Sequence, residues 1–141
     1  MSTEENKAIV RRFLEELVST GDPALADELL ASNYVLHFGG NPPMDGQGFR
    51  QFLGMFRSAF PDLRVTVEDE IAEGDKVATR FTWRGTHRGP FQGIAPTGKH
   101  VTGSGIAIYR VTNGKIAEDI VQEDTLGLLQ QLGAIPAPGG S

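Results

Sequence analysis

The sequence predicts an α+β domain, a strongly curved antiparallel sheet with N-terminal helices packed into its concave face. Two observations lead there. Apolar residues recur at helical spacing through the first sixty positions and at every second position afterwards. A run of helices followed by a run of strands is the pattern of helices covering one face of an antiparallel sheet. A third observation, the glycines Gly103, Gly105 and Gly114 in the last strand region, is compatible with a sheet that bends around a pocket.

The elements follow in order. From Thr3 to about Thr20, Ile9, Val10, Phe13, Leu14, Leu17 and Val18 form one apolar face, Ser2 with Glu5 reads as a capping box, and Gly21 is the stop. Asp22-Pro23 restarts the chain as a cap and first helical residue for a short helix to about Leu30. A strand at Tyr34 to Phe38 feeds a loop marked by Gly39, Gly40 and Pro42-Pro43, and Phe49, Phe52, Leu53, Phe56 and Phe60 make a third helical stripe ended by Pro61. Leu63 to Glu73 and Val77 to Arg84 alternate around Gly74-Asp75 as a hairpin, with Val77, Thr79, Phe81 and Trp83 on one face. Gly85 to His100 is too rich in Gly and Pro for a regular element. Val101 to Val111 and Lys115 to Glu123 flank Asn113-Gly114, a strong hairpin signal, and Asp124 caps a last helix ended by Gly133. Residues 1–135 thus make one domain and 136–141 a flexible Pro/Gly tail.

Composition narrows the function. The 141 residues carry 13 Lys plus Arg against 18 Asp plus Glu, a formal charge of -5, which disfavours nucleic acid as a partner. No Cys is present, so disulfides, thiolate nucleophiles and Cys-ligated zinc are excluded. The acidic, amphipathic start is unlike a signal peptide and no long apolar run suggests a membrane, so the expectation is a cytoplasmic protein. His37, His87 and His100 lack the spacing of a metal site, and the Gly-rich stretch precedes a strand rather than a helix, so neither metal nor cofactor is expected.

The Asn33-Tyr34-Val35 run with His37, the Gly85-Thr86-His87 turn, Gly93 to Gly98, Arg110, Asn113-Gly114-Lys115-Ile116, and Asp124 followed by Leu126 to Gly133 resemble the SnoaL-like polyketide cyclases and ester cyclases of the NTF2-like superfamily. The resemblance covers nearly the whole chain. It implies the cone-shaped fold of that superfamily and, in the characterised cyclases, a cofactor-free intramolecular aldol closure with an inward Asp on the last strand. Matched residue by residue, that Asp falls at Val121. A supporting His and Gln fall at Ala107 and Gly105, and an Asn at Leu36, so the polar set is replaced by apolar or absent side chains. The acid/base would then come from elsewhere.

Asp119 is the first candidate, because strict alternation places it on the face of Val121, with Glu123 continuing the row. A carboxylate facing an apolar cavity has its pKa raised by desolvation, as a general base near neutral pH requires. The competing reading is an ion pair at the sheet rim. His37 and Tyr34 are candidates to orient substrate or donate a proton, and Leu36, Phe56, Trp83, Ala107, Val121 and Glu123 to line a pocket for a small apolar or aromatic molecule. His87, on the face of Phe81 and Trp83, reads as a core residue that ties down the long loop, and Asp124 as a helix cap. Limonene-epoxide hydrolase, of the same superfamily, uses an Asp-Arg-Asp set that Arg80 with Asp119 or Asp124 would imitate, although alternation turns Arg80 outward. Three functions stay open: an acid/base enzyme of cyclase, isomerase or hydrolase type, a hydrophobic-ligand carrier, and a scaffold. Ile106, Ile108, Ile116 and Ile120 on the other sheet face fit a homodimer under all three.

Overall fold

The computed structural model describes residues 2–136; the tail expected at 136–141 lies, from Ala137 onward, outside the described residues. Helix α1 (Thr3–Arg12) starts at the expected capping box, with the Glu5 amide donating to Ser2 Oγ at 3.1 Å and the Ser2 amide to Glu5 Oε1 at 3.2 Å. It runs into a π-helical segment, Phe13–Val18, which the apolar spacing did not announce. The wider π turn buries Phe13, Leu14 and Leu17, and such turns recur where a helix faces a functional site. Gly21, at φ +72°, turns the chain into α2 (Pro23–Leu29), capped by Asp22. Strand β1 (Leu30–Phe38) begins four residues before the expected start, because it extends back to pair Leu30 with Ile116. The two-residue β2 (Met44–Asp45) leads into α3 (Gly46–Ala59), where Asp45 accepts from the Gly48 amide.

Strands β3 (Arg64–Glu73), β4 (Lys76–Thr86), β5 (His100–Thr112) and β6 (Lys115–Glu123) form an antiparallel meander, and α4 (Thr125–Gln131) follows. The sheet order is β2-β1-β6-β5-β4-β3. The antiparallel expectation meets one exception: β1 lies parallel to β6. Nearly eighty residues separate these strands, the long connection that parallel pairing requires, and hairpin signals carry no information about such a closure.

Burial alternates at every step along β5 from His100 to Tyr109. Val101, Ala107 and Tyr109 face the helices, while Ile106 and Ile108 face outward and are exposed. Ile116 departs from its expected outward place. Register shifts between Arg110 and Val111, so that Ile116 pairs with Val111, Arg110 with Glu118, and Ala117 is the extra residue; the bulge turns Ile116 into the core. At the β3 edge, the Val65 and Val67 amides donate to Ser19 Oγ and Glu15 Oε2, each at 2.9 Å, so side chains of the first helical segment occupy an otherwise open strand edge. Beyond the end of β6, the Gln131 side chain continues the ladder, accepting from the Thr102 amide at 2.9 Å and donating to its carbonyl at 2.7 Å.

Candidate functional site

The inward row of β6 is Asp119, Val121 and Glu123. Register sets Asp119 between Leu36 on β1 and Tyr109 on β5. Tyr34 is one pleat before Leu36 on the same face, and its hydroxyl donates to Asp119 Oδ2 at 2.8 Å. Asp119 is only 2% exposed, which excludes the rim ion pair. Its Oδ1 has no partner among the described residues. Burial pushes the Asp119 carboxyl up to about 7 against the opposing pull of the Tyr34 bond. Glu123 is likewise pushed up to about 7, first by burial and then by the charge of Asp119. Burial, with the nearby Asp119, raises the Tyr34 and Tyr109 hydroxyls well above their ordinary range, so both keep their protons.

Asp119, Glu123 and Tyr109 line a cavity of about 70 Å³, well above the roughly 10–15 Å³ that a single water needs. Phe13 from the π turn, Phe49, Phe52 and Phe56 from α3, and Phe81 and Trp83 from β4 make its aromatic wall. Gly103 and Gly105 are required here by close approach. A Cβ at Gly103 would lie 2.1 Å from Trp83 Nε1, and one at Gly105 would lie 2.7 Å from Phe81 Cζ and 2.9 Å from Glu123 Cγ. The two rings and the Glu123 chain thus lie across β5 in the space that side chains would take.

The structure brings together Tyr34, Asp119 and Glu123, with Leu36, Phe56, Trp83 and Val121 in the cavity wall. Ala107 is on the inner face, in register with Val121 and Thr79, but its methyl is too short to join the lining. His37 is a correction: the period of two that turns Tyr34 and Leu36 inward turns His37 to the other face, level with Ile120 and away from the cavity. The Asp-Arg-Asp arrangement also fails, because Arg80 is exposed on the outer face opposite Asp69 and Ile106, while Asp124 accepts from the Gly127 amide as the cap of α4. His87 is fully buried, and its Nδ1 accepts from the Thr97 amide at 3.2 Å, clasping the loop from 88 to 99 as expected. Tyr109, Phe13 and Phe81 were missed as site residues. For Tyr109 and Phe81 the signal was present in the alternation of β5 and β4, and for Phe13 in the apolar face of the first helix. Among the described residues, no group of three or more His, Asp or Glu is placed to hold a metal ion.

The profile of the SnoaL-like polyketide cyclases matches residues 8–132. This chain belongs to that family. Its α+β architecture with a curved open sheet is the NTF2-like fold that the resemblance implied. A relative, nogalonic acid methyl ester cyclase of Streptomyces nogalater, is 31% identical over 88 residues, 62% of this chain and 66% of that protein, so the match spans just under two thirds of the relative. Among solved structures, TsrD from Streptomyces laurentii superposes with a TM-score of 0.85 at 30% identity over 96% of this chain and 99% of the other. IdmH from Streptomyces antibioticus, a proposed polyketide cyclase, gives 0.81 at 31% over 91% and 98%. AclR from Streptomyces galilaeus, a proposed hydroxylase, gives 0.86 at 28% over 96% and 85%. Different chemistries are thus assigned to structural neighbours of this chain, and the reaction must be argued from the site. No helix of the described residues is long and apolar enough to cross a membrane.

Proposed function

We propose that this SnoaL-like protein is a small-molecule enzyme of cyclase or isomerase type, in which Asp119 removes a proton from an apolar or aromatic carbonyl substrate without a cofactor. The observation that carries this reading is the Asp119 carboxyl, buried among aromatic side chains, with one oxygen on the Tyr34 hydroxyl and the other unpartnered. Such a group is basic enough near pH 7 to accept a proton, and the Tyr34 bond holds it in one orientation. Leu36, Phe56, Trp83 and Val121 grip the apolar body of the substrate. The aldol closure of the characterised cyclases is not part of the proposal, since Val121 stands where the resemblance puts their acid/base Asp. The test is deuterium exchange from D2O into the α-position of small aromatic ketones. Wild type accelerates it and Asp119→Asn, which keeps the shape, does not; equal rates would sink the reading.

The nearly all-apolar lining favours a second reading, a carrier of a hydrophobic metabolite. It predicts ligands that raise the melting temperature of wild type and Asp119→Asn alike, with no exchange by either. A homodimer through the outer sheet face accompanies both readings, supported by the exposed stripe of Ile106, Ile108 and Ile120. Ile108→Lys should then sediment as a monomer, and an unchanged sedimentation coefficient would argue against this face. A cytoplasmic setting, consistent with the absence of cysteine, completes the proposal.

A further inference from the structure

We infer that Glu123 is the second proton-transfer group of the cavity, acting as the acid to the Asp119 base on an enolisable ketone. The inference rests on the acid/base reading above and adds to it the partner group. Three observations carry it. Glu123 follows Asp119 by two pleats on the inner face of one strand, and both line the same cavity. Its side chain is laid over β5 through a gap that exists because position 105 is glycine, where a Cβ would meet Glu123 Cγ at 2.9 Å. The other lining side chains are apolar or aromatic, so Asp119 and Glu123 are the two carboxyls that the described residues bring to this cavity.

The division of roles follows from hydrogen bonding. Tyr34 donates to Asp119, which favours the carboxylate there. A single negative charge in an apolar cavity therefore settles on Asp119, and Glu123 holds its proton, which the Asp119 charge reinforces. The helices facing the pair contribute only apolar groups to the lining, and the strands add Tyr109 to it and Tyr34 as the donor to Asp119, both protonated. In the step, the α C–H bond breaks and its proton passes to Asp119. The electron pair forms the C=C bond, and the carbonyl oxygen takes the Glu123 proton. The enol leaves one carboxylate and one carboxylic acid with the roles exchanged, so charge is conserved and return of the two protons resets the site.

The test uses the full chain and phenylacetone, a single-ring ketone, with α-hydrogen exchange in D2O followed by NMR. Side-chain carboxyl ¹³C shifts are titrated in parallel. Glu123→Gln should lower exchange about 100-fold, the lower range for loss of a general acid. Asp119→Asn should abolish exchange and lower the Glu123 titration midpoint, because the charge that raises it is gone. Exchange by Glu123→Gln at the wild-type rate, or a Glu123 midpoint in the ordinary carboxylate range and unmoved by Asp119→Asn, overturns the pairing. Wild-type exchange by Asp119→Asn instead overturns the base itself, a separate failure. No exchange by wild type overturns the enolising reading on which the pairing rests. The titration needs no substrate and decides the pairing even if Glu123→Gln folds poorly.

Discussion

Replacing Asp119 by Asn removes a titrating group without changing its shape, and the consequence for stability depends on pH in a way that can be worked out. The folded carboxyl titrates at about 7 against an ordinary value of 3.8, so between these values the folded chain binds more proton than the unfolded one. Stability then falls as pH rises through that interval, and the full cost of burying the charge is present above it. At 1.36 kcal/mol per unit, the shift corresponds to about 4 kcal/mol. Asn keeps an acceptor for the Tyr34 hydroxyl and never ionises. At pH 8.5 the variant should therefore be more stable than wild type by up to about 4 kcal/mol, on the order of 10 °C in melting temperature for a chain of this size. At pH 4 the two should differ by no more than about 1 kcal/mol, the worth of one exchanged hydrogen bond. Thermal unfolding of both proteins at matched pH from 4 to 9 reads this directly. Parallel curves, with the same offset at every pH, would refute a desolvated carboxyl at this position.

Tyr34→Phe deletes the one hydrogen bond that favours the Asp119 carboxylate, so the Asp119 midpoint rises further and the acid limb of the exchange profile moves to higher pH; an unmoved limb would contradict the pairing. Gly103→Ala forces a methyl to within 2.1 Å of the Trp83 indole and should cost about 1–3 kcal/mol in urea unfolding, with a shifted emission from the sole tryptophan. His87→Ala removes the acceptor of the Thr97 amide and should speed hydrogen exchange across residues 88–99 while α3 stays protected; uniform protection would show that the clasp does not hold the loop.

Local signals carried much of the fold. The Ser2–Glu5 box, the Asp22-Pro23 restart, the Asn113-Gly114 turn and the Asp124 cap each depend on side chains within four residues, and each is where the sequence places it. What escaped depends on distant chain. The π turn at Phe13–Val18 keeps an ordinary apolar helical spacing, so periodicity does not mark it. The parallel placement of β1 is a choice made across some eighty residues, and the bulge that buries Ile116 is a register shift that the Asn113-Gly114 signal does not encode. In the site, alternation from Val121 was enough to turn Asp119 and Glu123 inward, whereas the same rule applied to β1 would have turned His37 out. Tyr34 was named beside Asp119, but only the register of β1 against β6 sets its hydroxyl 2.8 Å from the carboxylate.

The apolar substitutions and the basic carboxylate are one feature of this site rather than two. With Leu36, Ala107 and Val121 where the resemblance puts Asn, His and Asp, Tyr34 alone among the described residues donates a hydrogen bond to the Asp119 carboxyl. Asp119 then bears nearly the whole cost of desolvation, which is what raises it to about 7. A carboxylate with several donors around it would be a weaker base. The glycines at 103 and 105 complete the effect, because they let Trp83 and Phe81 occupy the space over β5 that side chains would fill. A cavity depleted of polar groups thus concentrates its proton chemistry on the few carboxyls it retains, and the base strength of Asp119 is set by the side chains that the strands around it lack.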